Sequence, residues 1–167
     1  MREVNTAWSE AKPMRRREWT VGALLACASG WAVAQSVGKP SEVIVQVWKD
    51  PNCGCCKDWV AHLERNGFRT QVFETGNQAV RRRLGMPEKL GSCHTALVDG
   101  YVIEGHVPAN EMQRLLRSRP AALGLSVPGM PVGAPGMDGP AYGGRKDPYD
   151  VLLVAKDGSA TVYQHHP

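Results

Sequence analysis

Val43-Ile44-Val45-Gln46-Val47-Trp48-Lys49-Asp50-Pro51-Asn52-Cys53-Gly54-Cys55-Cys56-Lys57-Asp58-Trp59 is the stretch that decides the fold. Its first six residues are a near-continuous β-branched and apolar run, the pattern of a strand buried on both faces, and so of a central strand. Its last residues begin a helix: Trp59, Val60 and Leu63 fall at helical spacing, and Asn66-Gly67 supplies the stop. Three of the chain's five cysteines thus sit between a first strand and a first helix, at that helix's N-terminus. Unpaired backbone N–H groups and the helix dipole favour thiolates there. Cys53 and Cys56 have C-x-x-C redox spacing, with Cys55 between them, so disulfide chemistry and soft-metal binding both begin as open readings.

Downstream, Phe68 to Glu74 reads as a second strand, with Val72 and Phe73 as its apolar part, and Asn77 to Leu84 as a short basic helix. Arg81-Arg82-Arg83 reads as the solvated face of that helix. Ala96-Leu97-Val98 and Tyr101-Val102-Ile103-Glu104 flank Asp99-Gly100, a strong hairpin signal. Pro108 opens a helix with Met112, Leu115 and Leu116 on its apolar stripe, ending before Pro120. The order is that of a thioredoxin-like α/β fold, a central mixed sheet flanked by helices. The loop before the third strand returns to face the cysteine-bearing helix end, and it carries Cys93-His94 where thioredoxins place a cis-proline. From Gly124 to Gly144 glycine, proline and methionine dominate, which argues against a regular helix or central strand. Because strand-like Asp150–Ala155 and Ala160–Tyr163 follow around Asp157-Gly158, this stretch is expected as an ordered loop with both ends fixed, closed by a C-terminal hairpin.

Ahead of this domain, Arg15-Arg16-Arg17 precede an uncharged stretch from Thr20 to Ala34 that ends Ala32-Val33-Ala34. That is the order of a secretory signal peptide over 1–34, with Met14 as an alternative start and cleavage near Ala34/Gln35. A polar lead over 35–42 and a domain over 43–167 follow. The apolar run is too short to span a bilayer, so no stable membrane insertion is expected after cleavage. Arg16-Arg17 faintly resembles a twin-arginine signal. Five cations against three anions fall before residue 35, so half of the formal charge of +4 belongs to the leader, which removes the argument for a nucleic-acid partner.

Cleavage would leave Cys53, Cys55, Cys56 and Cys93. Two structural disulfides are the plain expectation for four cysteines in an oxidising compartment, but adjacent Cys55 and Cys56 pair poorly with each other. If four thiols converge, their repulsion is relieved by protonation, oxidation or a soft cation. Thiolates select Cu(I), Zn(II) or iron–sulfur clusters. The adjacent pair suits Cu(I), with its low coordination numbers and bridging sulfurs, above a tetrahedral zinc. His94, His106, Met130 and Met137 are nearby candidates for further ligands, His94 ranked first; His62 lies away from the cysteine end, and His165-His166 form a tail pair.

Several separated motifs, Val47-Trp48-Lys49-Asp50-Pro51-Asn52-Cys53-Gly54-Cys55-Cys56, Gly91-Ser92-Cys93-His94-Thr95, Gly105-His106-Val107-Pro108-Ala109 and Gly124-Leu125-Ser126-Val127-Pro128-Gly129-Met130-Pro131, together resemble the CopG-type family of exported bacterial copper-resistance proteins. The resemblance covers residues 43 to about 165, with Ala134 the one departure, where serine is expected. It implies a thioredoxin-like fold, periplasmic copper handling alongside other copper-handling proteins, and a multinuclear Cu(I) site on Cys53, Cys55, Cys56 and Cys93. A redox role between Cu(I) and Cu(II) has been suggested for such proteins. The competing reading is a thiol–disulfide oxidoreductase using Cys53 as nucleophile and Cys56 as resolving thiol.

Overall fold

The structure, a computed structural model, describes residues 43–167. The signal-peptide reading over 1–34 and the polar lead over 35–42 lie outside the described residues.

The elements alternate as expected at the start: β1 (Ile44–Lys49), α1 (Gly54–Arg65), β2 (Arg69–Phe73), α2 (Gln78–Arg83), β3 (His94–Val98), β4 (Tyr101–Glu104) and α3 (Ala109–Ser118). Three further strands follow, β5 (Gly124–Ser126), β6 (Tyr149–Val154) and β7 (Ala160–His166). All seven strands form one mixed sheet in the order β2-β1-β3-β4-β5-β6-β7. β1 pairs parallel with β2 and β4 with β5; the other pairings are antiparallel. This is the expected α/β architecture.

β1 lies one strand from the sheet edge rather than at its centre, and that corrects the expected burial. Val45, Val47 and Lys49 are buried, whereas alternate Ile44 is 46% exposed. One face is fully covered and the other only partly, so the run is β-branched without being buried on both sides. The Asp99-Gly100 turn behaves as its dipeptide predicts: both residues have positive φ, 47° and 85°, and β3 and β4 pair directly across it.

Two expectations fail for reasons of long-range packing. Gly124-Leu125-Ser126 is a fully buried strand inside the sheet, although its glycine argued for a loop. A Cβ on Gly124 would lie 1.7 Å from the Val102 carbonyl oxygen, so the glycine is what lets β5 pair against β4. Arg81 is not part of a solvated face. Its guanidinium is 12% exposed and paired with fully buried Glu104, while Arg82 and Arg83 remain exposed.

The core joins the helices to the sheet through Trp59, Leu63, Met112 and Leu115 against Val45, Val47, Ile103 and Leu125. Trp59 is fully buried, and its indole N–H donates to the Val107 carbonyl at 2.8 Å, so the first turns of α1 are tied to the loop entering α3. Among the described residues, no helix is long and apolar enough to cross a membrane.

Candidate metal centre

The centre is assembled from four segments that are remote in sequence. The Asp50–Cys53 turn is held by the Cys53 N–H donating to the Asp50 carbonyl at 3.1 Å and the Asn52 N–H to Asp50 Oδ1 at 2.8 Å. α1 starts immediately after it, with Cys53 at the N-cap and no side chain capping the first turn. The orphan N–H groups of that turn thus stand beside the sulfurs. The Cys93 turn arrives from the other side at the start of β3.

The four sulfurs of Cys53, Cys55, Cys56 and Cys93 lie within 4.8 Å of one another. Cys53 and Cys56 are joined by a disulfide, and Cys55 and Cys93 are free thiols. Two disulfides, the plain expectation for a secreted domain, are not formed: Cys55 Sγ lies 3.5 Å from Cys53 Sγ and 3.9 Å from Cys93 Sγ. Burial, followed by the charge of nearby Cys55, pushes the Cys93 thiol up to about 12. Without a cation, crowding keeps this thiol protonated.

A second group overlaps the first at Cys93. His94 Nδ1 lies 3.3 Å and His106 Nε2 3.1 Å from Cys93 Sγ, and both imidazoles are fully buried. Burial, then the neighbouring His106, holds His94 well below the ordinary imidazole value; burial also lowers His106 against the raising effects of the Pro135 carbonyl and Asp138. Both rings are therefore neutral and have lone pairs to give. A carbonyl only accepts, so the 2.8 Å contact of His106 Nδ1 with the Pro135 oxygen places the ring proton on Nδ1 and leaves the Nε2 lone pair facing Cys93. His94 packs its ring 4.2 Å from Trp59, and its Nε2 has no partner.

The Gly/Pro/Met stretch lies over this centre as an ordered loop. A Cβ on Gly136 would stand 2.5 Å from the Cys55 carbonyl and 2.7 Å from the Trp59 amide, so the loop backbone rests directly on the first turns of α1. Met130 is 53% exposed and shares with Ser92 and Cys93 the lining of a cleft of about 420 Å³. Met137 is buried and its sulfur accepts a hydrogen bond from the Tyr142 hydroxyl at 3.2 Å. His62 lies apart, accepting from the Ala109 N–H at 3.1 Å. The tail histidines are divided: His165 meets Asp150 at 2.7 Å, while His166 stacks on Tyr149.

Sequence reasoning missed the groups that hold the Cys93 turn. Glu104 Oε1 accepts from Arg81 Nε at 2.9 Å and from the Ser92 N–H at 2.7 Å, and Oε2 accepts from the Thr95 hydroxyl at 2.6 Å. Arg81 Nη2 also donates to the Ser92 carbonyl at 2.6 Å. Both backbone groups of the residue before Cys93 are therefore fixed. An acidic residue ending a hairpin strand just ahead of Gly105-His106 is the faint signal that was available.

The comparisons with known proteins fall on this same geometry. The family model described as "Protein of unknown function, DUF411" matches residues 90–137, the span from the Cys93 turn to Met137. A search of curated proteins gives no match. Two solved structures are similar. "Copper resistance protein copG- Form 2" shares 47% identity over 75% of this chain and 98% of that one, with a TM-score of 0.69. "Copper resistance protein copG- Form 1" shares 46% identity over 74% of this chain and 97% of that one, also with a TM-score of 0.69. With identity at this level across almost the whole of both solved chains, the protein belongs to the CopG copper-resistance family.

Proposed function

We propose that this chain is an exported, periplasmic copper-resistance protein that holds Cu(I) as a multinuclear thiolate cluster on Cys53, Cys55, Cys56 and Cys93, with imidazole support from His106 and His94. One observation carries this reading: four cysteine sulfurs gather within 4.8 Å at an uncapped helix N-terminus. Cu(I) takes two or three soft ligands and shares sulfurs between ions, so it suits a group in which two of the ligands, Cys55 and Cys56, are adjacent in the chain. The loop backbone rests on the first turns of α1 but leaves Cys55 and Cys93 partly exposed, so copper can reach the sulfurs from the cleft that Cys93 lines. The leader over residues 1–34 would deliver the chain to the periplasm, where copper is its cargo and other copper-handling proteins its exchange partners.

Because Cys53 and Cys56 are disulfide-bonded here, full loading requires their reduction first. Anaerobic Cu(I) titration of the fully reduced protein against a chromogenic chelator tests the proposal. It is expected to saturate above one copper per chain and to fall after Cys93→Ser. Saturation at one copper or none would overturn the cluster.

The disulfide also favours a second reading, thiol–disulfide exchange through Cys53 and Cys56. On that reading the metal-free protein reduces or oxidises a model disulfide at a useful rate, and Cys55→Ser spares the rate.

A further inference from the structure

We propose that the cleft between α3 and the edge strand β7 binds a small zwitterion of the α-amino-acid class, with Glu111 receiving its ammonium group and Arg114 and Arg117 its carboxylate. The site shares no residue with the metal centre and does not rest on the copper reading.

Unmet hydrogen-bonding capacity gathers in this part of the fold. Among the described residues, five buried side-chain nitrogen and oxygen atoms lack a hydrogen-bond partner. One is on His94; the other four, Glu111 Oε2, Arg114 Nε, the Tyr163 hydroxyl and His166 Nε2, all belong to α3 and β7. Buried polar groups are ordinarily satisfied, so four exceptions in one place mark a binding site.

The backbone sets these groups in order. Glu111, Arg114 and Arg117 recur every three residues, so they share one face of α3 and advance along it by about 4.5 Å per step. Gln164 and His166 alternate along β7, the last strand of the sheet, and share one face of that strand. With Asn110, these side chains line a cleft of about 410 Å³. Glu111 is only 4% exposed. Its Oε1 accepts from the Asn110 amide at 3.1 Å, and His166 Nε2 stands 3.2 Å away but outside hydrogen-bond geometry, so Oε2 is left for a donor from the cleft. Arg114 directs its Nη atoms to Gln164 Oε1 at 3.3 Å and the Tyr163 carbonyl at 2.8 Å, and lies 3.8 Å over the Tyr163 ring. Its guanidinium is therefore held in place while the Nε–H stays unused. Neither Arg114 nor Arg117 pairs with a carboxylate among the described residues.

The unused atoms decide the charge of the ligand. Glu111 Oε2 calls for a cationic donor, and Arg114 Nε and Arg117 for an anionic acceptor. A divalent cation at Glu111 and His166 would stand near two guanidinium groups that have no anion of their own, and a simple anion would meet the Glu111 carboxylate. A molecule with both charges satisfies both ends. An α-amino acid carries its ammonium and carboxylate on one carbon, which matches opposite charges placed one step apart on the helix.

Glycine is the probe, because it has the two charged groups and no side chain. Titrated into metal-free wild-type protein and followed by amide NMR, it is expected to shift the signals of Glu111, Arg114, Gln164 and His166 to saturation. Acetate and methylammonium, each with one of the two charges, bind at least about tenfold more weakly, the equivalent of one lost hydrogen bond to a charged group. Glu111→Gln weakens glycine binding at least about tenfold on the same ground. Arg117→Gln alters an exposed, unpaired side chain that the fold does not use, and weakens binding about threefold, as for one exposed ion pair. Arg83→Gln, also exposed but outside the cleft, leaves binding unchanged. Absence of a saturable shift in wild type would overturn the site. So would acetate or methylammonium binding as tightly as glycine, which marks a site for one charge only, or unchanged glycine affinity in Glu111→Gln and Arg117→Gln.

Discussion

Replacing Glu104 by glutamine removes one charge and no volume, and the structure says what that costs. Glu104 is fully buried and accepts three hydrogen bonds, from Arg81, the Ser92 N–H and the Thr95 hydroxyl. The amide leaves Arg81, itself only 12% exposed, without its anion. It also turns one acceptor into a donor opposite Thr95, whose hydroxyl already accepts from Asn77 Nδ2 at 3.2 Å. Breaking a buried pair by removing one member costs about 3–5 kcal/mol, a large share of the roughly 5–15 kcal/mol that stabilises a domain. The expected result for Glu104→Gln is a loss of about 3 kcal/mol in urea unfolding of the metal-free protein followed by circular dichroism. Arg81→Met should cost a similar amount. The double variant should cost about 2 kcal/mol less than the sum, because the two residues act on one another. A Glu104→Gln protein within about 1 kcal/mol of wild type, or strictly additive losses, would refute the claim that this pair clamps the Cys93 turn.

Gly124→Ala puts a Cβ 1.7 Å from the Val102 carbonyl oxygen and should destabilise by about 3 kcal/mol or more, read as a lowered thermal midpoint; an unchanged midpoint would remove the stated reason for this glycine. Gly136→Ala meets the Cys55 carbonyl and Trp59 amide from a φ of +83°, so it should lift the loop, release the Pro135–His106 hydrogen bond and weaken metal binding about tenfold, measured by chelator competition. Acid should destabilise the metal-free protein. His94 and His106 have folded values below the ordinary imidazole value, chiefly through burial, so the unfolded chain binds more protons as pH falls below about 6.5. Stability is then fully present above that value and declines below it, by at most about 2.7 kcal/mol per pH unit for the two groups; a flat unfolding free energy between pH 7 and 5 would contradict this.

Local signals carried most of the architecture. The β-branched run, the helical spacing of Trp59 and Leu63, and two Asp-Gly turns each specify their own element from neighbouring residues alone. They also placed three cysteines at a helix N-terminus and Cys93 opposite, which the structure brings together. What stayed hidden depends on partners far along the chain. Gly124 reads as a loop residue until β4 is beside it, where the missing side chain is the requirement for pairing. Arg81 reads as solvated because Glu104, its partner, is 23 residues away. His106 ranked below His94 as a ligand because nothing near it predicts the Pro135 carbonyl, 29 residues on, that orients its ring. The composition of the Gly/Pro/Met stretch excluded a long element correctly, but said nothing of a three-residue strand at its start.

X-ray absorption at the copper edge of the fully reduced, Cu(I)-loaded protein tests the central claim most directly. A thiolate cluster predicts a first shell dominated by sulfur together with copper–copper backscattering, both diminished in Cys93→Ser. A first shell of nitrogen and oxygen alone, or a sulfur shell with no copper–copper vector at full loading, would contradict it.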